Sequence, residues 1–287
     1  MNVTYFLQLF DDQLQDCLWL RFNERTPAGQ AQRGELSGLL AEAASSRLVL
    51  ILPASSVVLH KTSIMAKSKG QISAALPYAL EEELASDIEQ MHFAYRTIDR
   101  ESGTQLAAVV ERDLVQRLHA LITQHRFESV MLLPQILAVP WEPDSWSLFV
   151  QRDHALLRKT LTDGYAMDVI AMPELLTTEK ELYRQQHDSE QAPKLSVYNF
   201  SPDEEIEGES AMGGDSEALA VMARYSLDKP DSVIDLLQGE FQIARPMRDL
   251  LRQWSMAAGI AVIALIVYLV NVAVDNTMLA RENDRLN

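Results

Sequence analysis

Hydrophobic and polar positions alternate in two ways along the first part of the chain. Short apolar runs and period-two alternations predict β-strands, whereas apolar positions three and four residues apart predict helices. The clearest helical pattern places Leu114, Leu118 and Ile122 on one face. The predicted strands are 3–9, 17–22, 47–52, 57–61, 92–96, 105–110, 129–133, 146–150, 155–160, 166–170 and 194–200. The predicted helices are 35–44, 69–85 with an interruption at Pro77, 113–125, 174–186 and 215–227.

The order of these elements repeats along the chain. Two strands, a short third strand, a helix and a closing strand occur within 3–52 and again within 146–200. A repeated unit of this order is typical of a duplicated ribonuclease-H-like fold, as in actin. We therefore predict the α/β class, with a duplicated RNase H-like (actin-like ATPase-like) cytoplasmic region followed by a single transmembrane helix.

One stretch differs from the others because it is apolar on every face. Residues 254–274, WSMAAGIAVIALIVYLVNVAV, contain no Asp, Glu, Lys or Arg. At about 1.5 Å of rise per residue, a helix of this length spans about 30 Å, the thickness of the hydrocarbon core of a bilayer. We predict a transmembrane helix, since the alternative of a buried core helix would carry a polar stripe. The predicted membrane-anchor residues are Trp254, Ile260, Ile263, Leu265, Ile266, Val267, Tyr268, Leu269 and Val270.

The charges beside this stretch predict its orientation. Arg245, Arg248 and Arg252 precede it, whereas acidic and basic residues are mixed after it. An excess of arginine on the N-terminal side indicates that this side is cytoplasmic. The N-terminus also lacks the basic start and apolar run of a secretory signal. We expect a single-pass membrane protein with its N-terminus in the cytoplasm.

These patterns divide the chain into four parts. Residues 1–245 form a cytoplasmic region with two or three subdomains, 246–253 a juxtamembrane segment, 254–274 the membrane helix, and 275–287 the start of a periplasmic segment. We expect that this last segment is truncated and that the natural protein continues. Within the first part, about 201–217 is predicted to be an acidic mobile loop.

The chain carries a formal net charge of −16. This charge excludes nucleic-acid binding, which needs clustered Lys and Arg. It is compatible with docking of a basic protein partner, although a solvated surface is the simpler interpretation. Exposed sheet edges are candidate docking sites, and so are two acidic groups. Those groups are Glu81, Glu82 and Glu83, and Asp203, Glu204, Glu205, Glu207 and Glu209.

The motifs of common catalytic and nucleotide-binding sites are missing. The chain has no G-x-x-x-x-G-K-[ST], G-x-G-x-x-G or G-x-S-x-G, and its six histidines lack metal-ligand spacing. Actin-like ATPases cradle phosphates with glycine- and hydroxyl-rich turns after the first strand of each half. The equivalent turns here, 10–14 and 151–155, contain neither glycine nor serine. We predict no catalytic residue, no cofactor and no metal.

Several short strings occur in a characteristic order before the apolar stretch. They are LPA at 52–54, ALPY at 75–78, LEE at 80–82, MHF at 91–93, LLP at 132–134, LAVP at 137–140, LR at 157–158 and LLQGEF at 236–241. In these strings the chain resembles protein L of the bacterial type II (general) secretion pathway. Asp235 departs from the family, which commonly has Asn there. The resemblance covers the chain up to the apolar stretch.

The resemblance implies a fold, a location and partners. It implies an actin-like cytoplasmic region without enzymatic activity, one helix in the bacterial inner membrane, and a ferredoxin-like periplasmic domain that is absent here. The expected partners are the cytoplasmic secretion ATPase (E protein), the M protein, the polytopic F protein and a second copy of the chain. Ala257 and Ala261 form a small-xxx-small pair, which makes them candidates for helix pairing.

The sequence is compatible with three functions. The first is a non-enzymatic scaffold that recruits the secretion ATPase and couples it to membrane and periplasmic components. The alternative is an actin-like membrane protein that binds or hydrolyses a nucleotide, as in pilus assembly or cell division. A membrane-bound sensor is the third, but the sequence contains no recognisable signalling module. The composition of the two turns favours the scaffold.

Overall fold

Strands and helices alternate along most of the chain in the computed structural model, which describes residues 3–66, 68–152, 154–187, 191–201, 206, 212–243, 259 and 263–268. The strands are β1 (Val3–Leu9), β2 (Asp16–Asn23), β3 (Thr26–Pro27), β4 (Gln32–Glu35), β5 (Arg47–Leu52), β6 (Val57–Ser63), β7 (Met91–Asp99), β8 (Thr104–Glu111), β9 (Ser129–Pro134), β10 (Ser145–Val150), β11 (His154–Arg158), β12 (Gly164–Asp168) and β13 (Lys194–Asn199). The helices are α1 (Leu36–Glu42), α2 (Lys69–Leu80), α3 (Arg112–Thr123), α4 (Gln135–Ala138), α5 (Met172–His187) and α6 (Asp215–Asp228). All of these elements belong to the first of two units, Met1–Ile243 and Ala244–Asn287.

Strand β1 lies inside the first sheet. The sheet has the order β3-β2-β1-β5-β9, and β4 also pairs with β2. β2 is antiparallel to β1, whereas β5 is parallel to β1 and β9 is parallel to β5. Interior parallel strands are covered on both faces and are therefore apolar along their whole length. Leu48 to Leu52 of β5 are accordingly all buried.

The second sheet repeats this arrangement. Its order is β12-β11-β10-β13, with β11 antiparallel and β13 parallel to β10. In both sheets, the first strand of the unit lies between its antiparallel hairpin partner and the parallel strand that follows a helix. The repeated unit predicted from the element order is therefore confirmed.

One apolar core is shared by both sheets. Phe6 meets Phe22 edge-on at 5.0 Å between ring centroids, and Phe149 lies 4.9 Å from Phe200. All four rings belong to one continuous buried cluster. Helix α6 follows the second sheet in the chain but packs against β1 and β2. The two halves are therefore joined through a common interior.

A third sheet is inserted between β5 and β9. It has the order β6-β8-β7, and both of its pairs are antiparallel. Successive side chains of β8 point to opposite faces of this sheet. Ala107 and Val109 pack in a small core with α2, whereas Leu106, Ala108 and Val110 join the main core.

The end of one predicted helix and the position of one predicted strand need correction. Helix α2 continues through Pro77, where a single N–H is missing, and ends at Leu80; the rest of predicted 69–85 includes a 3-10 helix at Glu81–Glu83. The third strand of the second half is Gly164–Asp168 rather than 166–170, and Ile170 is 90% exposed.

The predicted acidic loop 201–217 also has a different end. Residues 215–217 form the first turn of α6, because the Glu217 carboxylate accepts the N–H of Gly214 at 3.0 Å. Ile206 is only 4% exposed and packs in the core of the second sheet. Residues 202–205 and 207–211 lie outside the described residues.

A buried arginine links β11 to two other segments. Arg158 has no exposed surface, and its Nη1 donates to the carbonyls of Leu137 at 2.9 Å and Val139 at 2.6 Å. Its Nη2 donates to the carbonyl of Ser232 at 3.4 Å, and its guanidinium lies 5.4 Å from the ring centre of Tyr225. Burial lowers the pKa of Arg158 to about 10, so the side chain stays charged at neutral pH.

We predict that Arg158→Met destabilises the protein by about 3 kcal/mol, because the carbonyls of Leu137 and Val139 would be left buried without donors. Urea unfolding followed by tryptophan fluorescence measures this change. The matched control is Arg152→Met, which alters an exposed arginine and should change the free energy of unfolding by less than about 0.5 kcal/mol. Equal stabilities of the two variants would contradict the prediction.

Candidate functional site

The turn between β1 and β2 stands at one of the two positions where an actin-like ATPase would bind phosphate. The Asp11 carboxylate accepts the N–H of Gln13 at 2.9 Å, and Arg117 of α3 donates to the carbonyl of Asp12 at 3.0 Å. Leu14 has a positive φ of 56° and is buried. The turn is thus fixed by its own acidic side chain and by packing.

Buried glutamines join the ends of the strands from which the two turns start. Gln8 of β1 donates to the Gln151 side chain at 3.3 Å, and Gln135 donates to the same oxygen at 2.9 Å. The side-chain oxygen of Gln135, Oε1, accepts the N–H of Ala54 at 3.2 Å. All three glutamines are at most 4% exposed. This place therefore holds neutral amides bonded to one another and to the backbone, with Nε2 of His154 3.2 Å from the side-chain nitrogen of Gln135. Among its described residues, it lacks the row of free backbone N–H groups that cradles a phosphate.

Residues 233–243, the C-terminal strap, run from the end of α6 along the outer edge of β9. The N–H of Leu236 donates to the carbonyl of Leu132 in β9 at 2.7 Å. The Asp235 carboxylate accepts the N–H of Leu132 at 3.1 Å and that of Leu237 at 3.0 Å. Leu236 and Leu237 are at most 4% exposed. The strap is thus held by backbone pairing and by apolar burial together.

Gln238 of the strap bonds to the edge of the inserted sheet. Its side-chain oxygen accepts the N–H of Tyr95 in β7 at 3.2 Å, and its side-chain nitrogen donates to the carbonyl of Tyr95 at 3.1 Å. The amide thus makes the two bonds that a neighbouring strand would make. The strap is therefore tied to the main sheet and to the inserted sheet at once.

His92 of β7 adds a buried contact to the strap. Its Nε2 lies 2.7 Å from the carbonyl of Leu236, so Nε2 carries the proton, because a carbonyl only accepts. The ring meets Phe241 edge-on at 5.0 Å. Burial, opposed by this hydrogen bond, lowers the pKa of His92 below 6.5.

Arg112 of α3 makes the strap's surface ion pair. Its Nη2 lies 2.8 Å from the Glu240 carboxylate, and both side chains are about half exposed. Exposed pairs of this kind contribute about 0–1 kcal/mol. The buried contact of His92 and the half-buried contacts of Asp235 and Gln238 therefore hold the strap more than this ion pair does.

Sequence reasoning did not assign a role to His92, Arg158 or Gln238. Each of them has a hydrogen-bond partner far away in the sequence: Leu236 for His92 (144 residues), Tyr95 for Gln238 (143) and Ser232 for Arg158 (74). A signal was nevertheless present. All three residues belong to the short strings at 91–93, 157–158 and 236–241 that carried the family resemblance.

The first group of predicted docking residues forms an exposed 3-10 turn. Glu81, Glu82 and Glu83, the acidic turn, directly follow α2. The Glu83 carboxylate lies 2.8 Å from Nδ1 of His60 in β6, which places the turn beside that strand. The second group, Asp203, Glu204, Glu205, Glu207 and Glu209, lies outside the described residues.

The predicted membrane helix is described only in part. Ile263, Leu265, Ile266, Val267 and Tyr268 are helical and 55–65% exposed. In the described part of the chain, no helix is both long and apolar enough to cross a bilayer. The other predicted anchor, flanking and pairing residues lie outside the described residues. They are Trp254, Ile260, Leu269, Val270, Arg245, Arg248, Arg252, Ala257 and Ala261.

A cavity of about 510 Å³ lies beside α5 and is walled by aromatic rings, including those of Trp146 and Tyr183. Its lysine, Lys159, pairs with Asp163 at 3.1 Å and with Glu179 at 3.2 Å. These charges are thus engaged with one another. Among the residues that the structure describes, no group of three or more His, Cys, Asp or Glu side chains could hold a metal ion.

Taken together, the repeated sheets define a mixed α/β protein of the actin-like type, with amides joining the strand ends from which its two turns start. A family model described as Type II secretion system (T2SS), protein L, matches residues 6–244. The chain belongs to this family, which confirms the resemblance noted in the sequence.

Relatives and a solved structure agree with this assignment. Type II secretion system protein L of Dickeya chrysanthemi is 26% identical over 247 residues, covering 85% of this chain and 57% of the relative. Protein L of Klebsiella pneumoniae is 26% identical over 236 residues, covering 82% of this chain and 55% of the relative. The chain thus spans a little over half the length of these relatives. A solved structure with the same fold is the cytoplasmic domain of EpsL, an inner membrane component of the type II secretion system of Vibrio cholerae. Its TM-score is 0.65 and its identity 22%, and the match covers 84% of this chain and 100% of that chain.

We predict that acidification weakens the attachment of the strap. In the unfolded chain, the His92 side chain binds a proton as the pH falls below about 6.5. In the folded protein the pKa of the buried ring is lower, so the ring binds this proton only at a lower pH. Stability therefore falls as the pH drops below 6.5, by up to about 1.4 kcal/mol per pH unit. Urea unfolding between pH 7.5 and 5.5 measures the loss.

His92→Gln keeps a donor for Leu236 but does not titrate, so its pH dependence should be smaller than that of the wild type. His187→Gln, at an exposed histidine, is the control and should retain the wild-type slope. The prediction is wrong if wild type and His92→Gln lose stability in parallel.

Proposed function

We propose that this protein is a non-enzymatic inner-membrane scaffold of the type II secretion system. In this role its folded region recruits the cytoplasmic secretion ATPase (E protein), and residues 254–274 hold that region at the membrane. Arg245, Arg248 and Arg252 would remain on the cytoplasmic side. Membership of the protein L family supports the secretion role.

The observation that carries the coupling role is the attachment of the strap. An adaptor that transmits force from a motor to a membrane must resist extension where it leaves the folded region. Hydrogen bonds from Asp235, Leu236 and Gln238 tie the strap to two different sheets before the chain continues towards residue 254. Such an attachment distributes a pull over both sheets instead of concentrating it on one strand.

The remaining partners are proposed on the family assignment. The M protein and the polytopic F protein would meet the membrane segment, and Ala257 and Ala261 would allow close approach of a second copy. The ATPase would dock on the acidic turn, on the acidic residues 203–209 or on an exposed sheet edge. Of these candidates, the acidic turn lies beside strand β6, where Glu83 contacts His60.

We predict that the variant Gln238→Leu separates ATPase binding from secretion. It removes both bonds to Tyr95 but leaves the proposed docking surfaces unchanged, so the ATPase should still be captured by purified residues 1–245. Secretion by cells that carry the variant should fall several-fold. Gln242→Leu, at an exposed position in the strap, is the matched control and should retain both activities.

Two results of this experiment would contradict the proposal. Failure of the wild-type region to capture the ATPase would remove the recruitment role. Normal secretion by Gln238→Leu would show that the attachment to β7 does not carry the coupling.

The alternative function is binding or hydrolysis of a nucleotide by the actin-like region. We expect no micromolar affinity for ATP, because neutral amides at Gln8, Gln135 and Gln151 are bonded to one another or to the backbone where phosphates would need donors. Isothermal titration with ATP and Mg²⁺ tests this expectation. Micromolar binding, or turnover by the purified protein, would favour the alternative.

A further inference from the structure

Strand β6 has an open outer edge. In the order β6-β8-β7, β6 bonds to β8 along one side only. Three other outer edges receive hydrogen bonds from neighbouring segments: Gln238 bonds to Tyr95 of β7, the strap bonds to Leu132 of β9, and the N–H of Met212 donates to the carbonyl of Asn199 in β13 at 2.6 Å. An open strand edge can accept an additional strand.

The ladder register identifies the backbone groups on that edge. The N–H of Ile64 donates to the carbonyl of Gly103 at 2.9 Å, one step beyond the last ladder pair. Hydrogen-bonded pairs alternate along an antiparallel ladder, so His60 is bonded to β8. The backbone groups of Leu59 and Lys61 therefore point outward.

The other side of the same sheet gives an independent check. Tyr95 directs its backbone groups outward to Gln238, so its ladder partner Ala107 directs its own groups to β6. Ala107 is paired with His60, which again leaves Leu59 and Lys61 facing outward. Within the described part of the chain, no hydrogen bond reaches these four outward groups.

Side chains beside the open edge define what could bind there. Val58 is 53% exposed and lies on the same face of the sheet as His60, whose ring contacts Glu83. Glu81 and Glu82 are exposed neighbours of Glu83 in the acidic turn. An added strand would meet exposed apolar surface and three carboxylates on this face. On the opposite face it would meet the exposed Lys61.

We propose that β6 and the acidic turn form a docking surface for an extended basic segment of another protein. The segment would add a fourth strand to the inserted sheet through the outward groups of Leu59 and Lys61, a mode of recognition known as β-augmentation. Its basic side chains would alternate with apolar ones, because carboxylates line one face and Lys61 the other. This surface extends the proposed function and stands whether or not the secretion ATPase supplies the segment.

A second copy of the chain is a poorer occupant on electrostatic grounds. Antiparallel pairing of two β6 strands across a two-fold axis would bring two acidic turns onto one face of the joined sheet. Each chain also carries a net charge of −16, which opposes pairing through this acidic surface. A basic segment gains from the charges that oppose self-pairing.

The test uses the full chain in neutral detergent and a labelled peptide, acetyl-Arg-Val-Arg-Val-Arg-Val-amide, followed by fluorescence anisotropy at low salt. Lys61→Pro removes the outward N–H without removing a bond to β8, a substitution that edge strands tolerate. Lys61→Ala removes the same charge but keeps the N–H. We expect the peptide to bind Lys61→Pro at least about tenfold more weakly than Lys61→Ala.

The charge requirement is tested on the acidic turn. The triple variant Glu81→Gln, Glu82→Gln, Glu83→Gln should bind the peptide about tenfold more weakly, and added salt should reduce wild-type binding. The control triple variant Glu24→Gln, Glu42→Gln, Glu174→Gln removes three exposed carboxylates elsewhere and should bind nearly as the wild type does. Equal losses in both triple variants would indicate attraction by net charge alone and would overturn the proposal.

A third experiment varies the peptide and uses the wild-type protein, so its result does not depend on the folding of a variant. Two further peptides carry N-methyl groups on all arginine amides or on all valine amides, which removes the N–H donors of one edge of the extended peptide at a time. One of them should lose binding and the other should keep it. Equal binding by all three peptides, or sedimentation showing a dimer of the chain that Lys61→Pro dissociates, would overturn the proposal.

Discussion

Buried backbone N–H and C=O groups must be hydrogen-bonded, and in this protein polar side chains meet that requirement where regular pairing stops. Arg158 bonds the carbonyls of Leu137 and Val139 at the end of α4, Gln135 bonds the N–H of Ala54, and Gln238 bonds both backbone groups of Tyr95. Several of these contacts join segments that are far apart in the sequence. The bonds that satisfy the backbone therefore also fix the two repeated sheets and the inserted sheet relative to one another.

The strap illustrates how such contacts suit a mechanical role. Its ion pair, between Arg112 and Glu240, is exposed and contributes little, whereas His92, Asp235 and Leu236 make their contacts in buried or half-buried surroundings. The strap can separate from the sheets only if all of its hydrogen bonds and apolar contacts break, so these contacts resist a pull in concert. The proposed coupling function depends on this concerted attachment.

The requirement for backbone hydrogen bonds also distinguishes strand ends and edges that receive such bonds from an edge that does not. Amides join the strand ends where phosphates would lie in an actin-like ATPase, and the strap bonds to β7 at Tyr95 and to β9 at Leu132. The outward groups of β6 receive no such contact from the described residues, and three glutamates lie beside that strand. The proposed scaffold role is consistent with this arrangement, in which amides occupy the strand ends and the edge of β6 is available.

The sequence by itself determined the local features. The apolar alternation located nearly all strands and helices, the order of elements predicted the repeat, and short strings indicated the protein L family. The tertiary structure decided the roles of His92, Arg158 and Gln238 and the open edge of β6. Local periodicity reports which face of an element is buried, but it does not report which distant element covers that face. The partners of His92 and Gln238 lie more than a hundred residues away in the sequence, and only the folded chain brings them together.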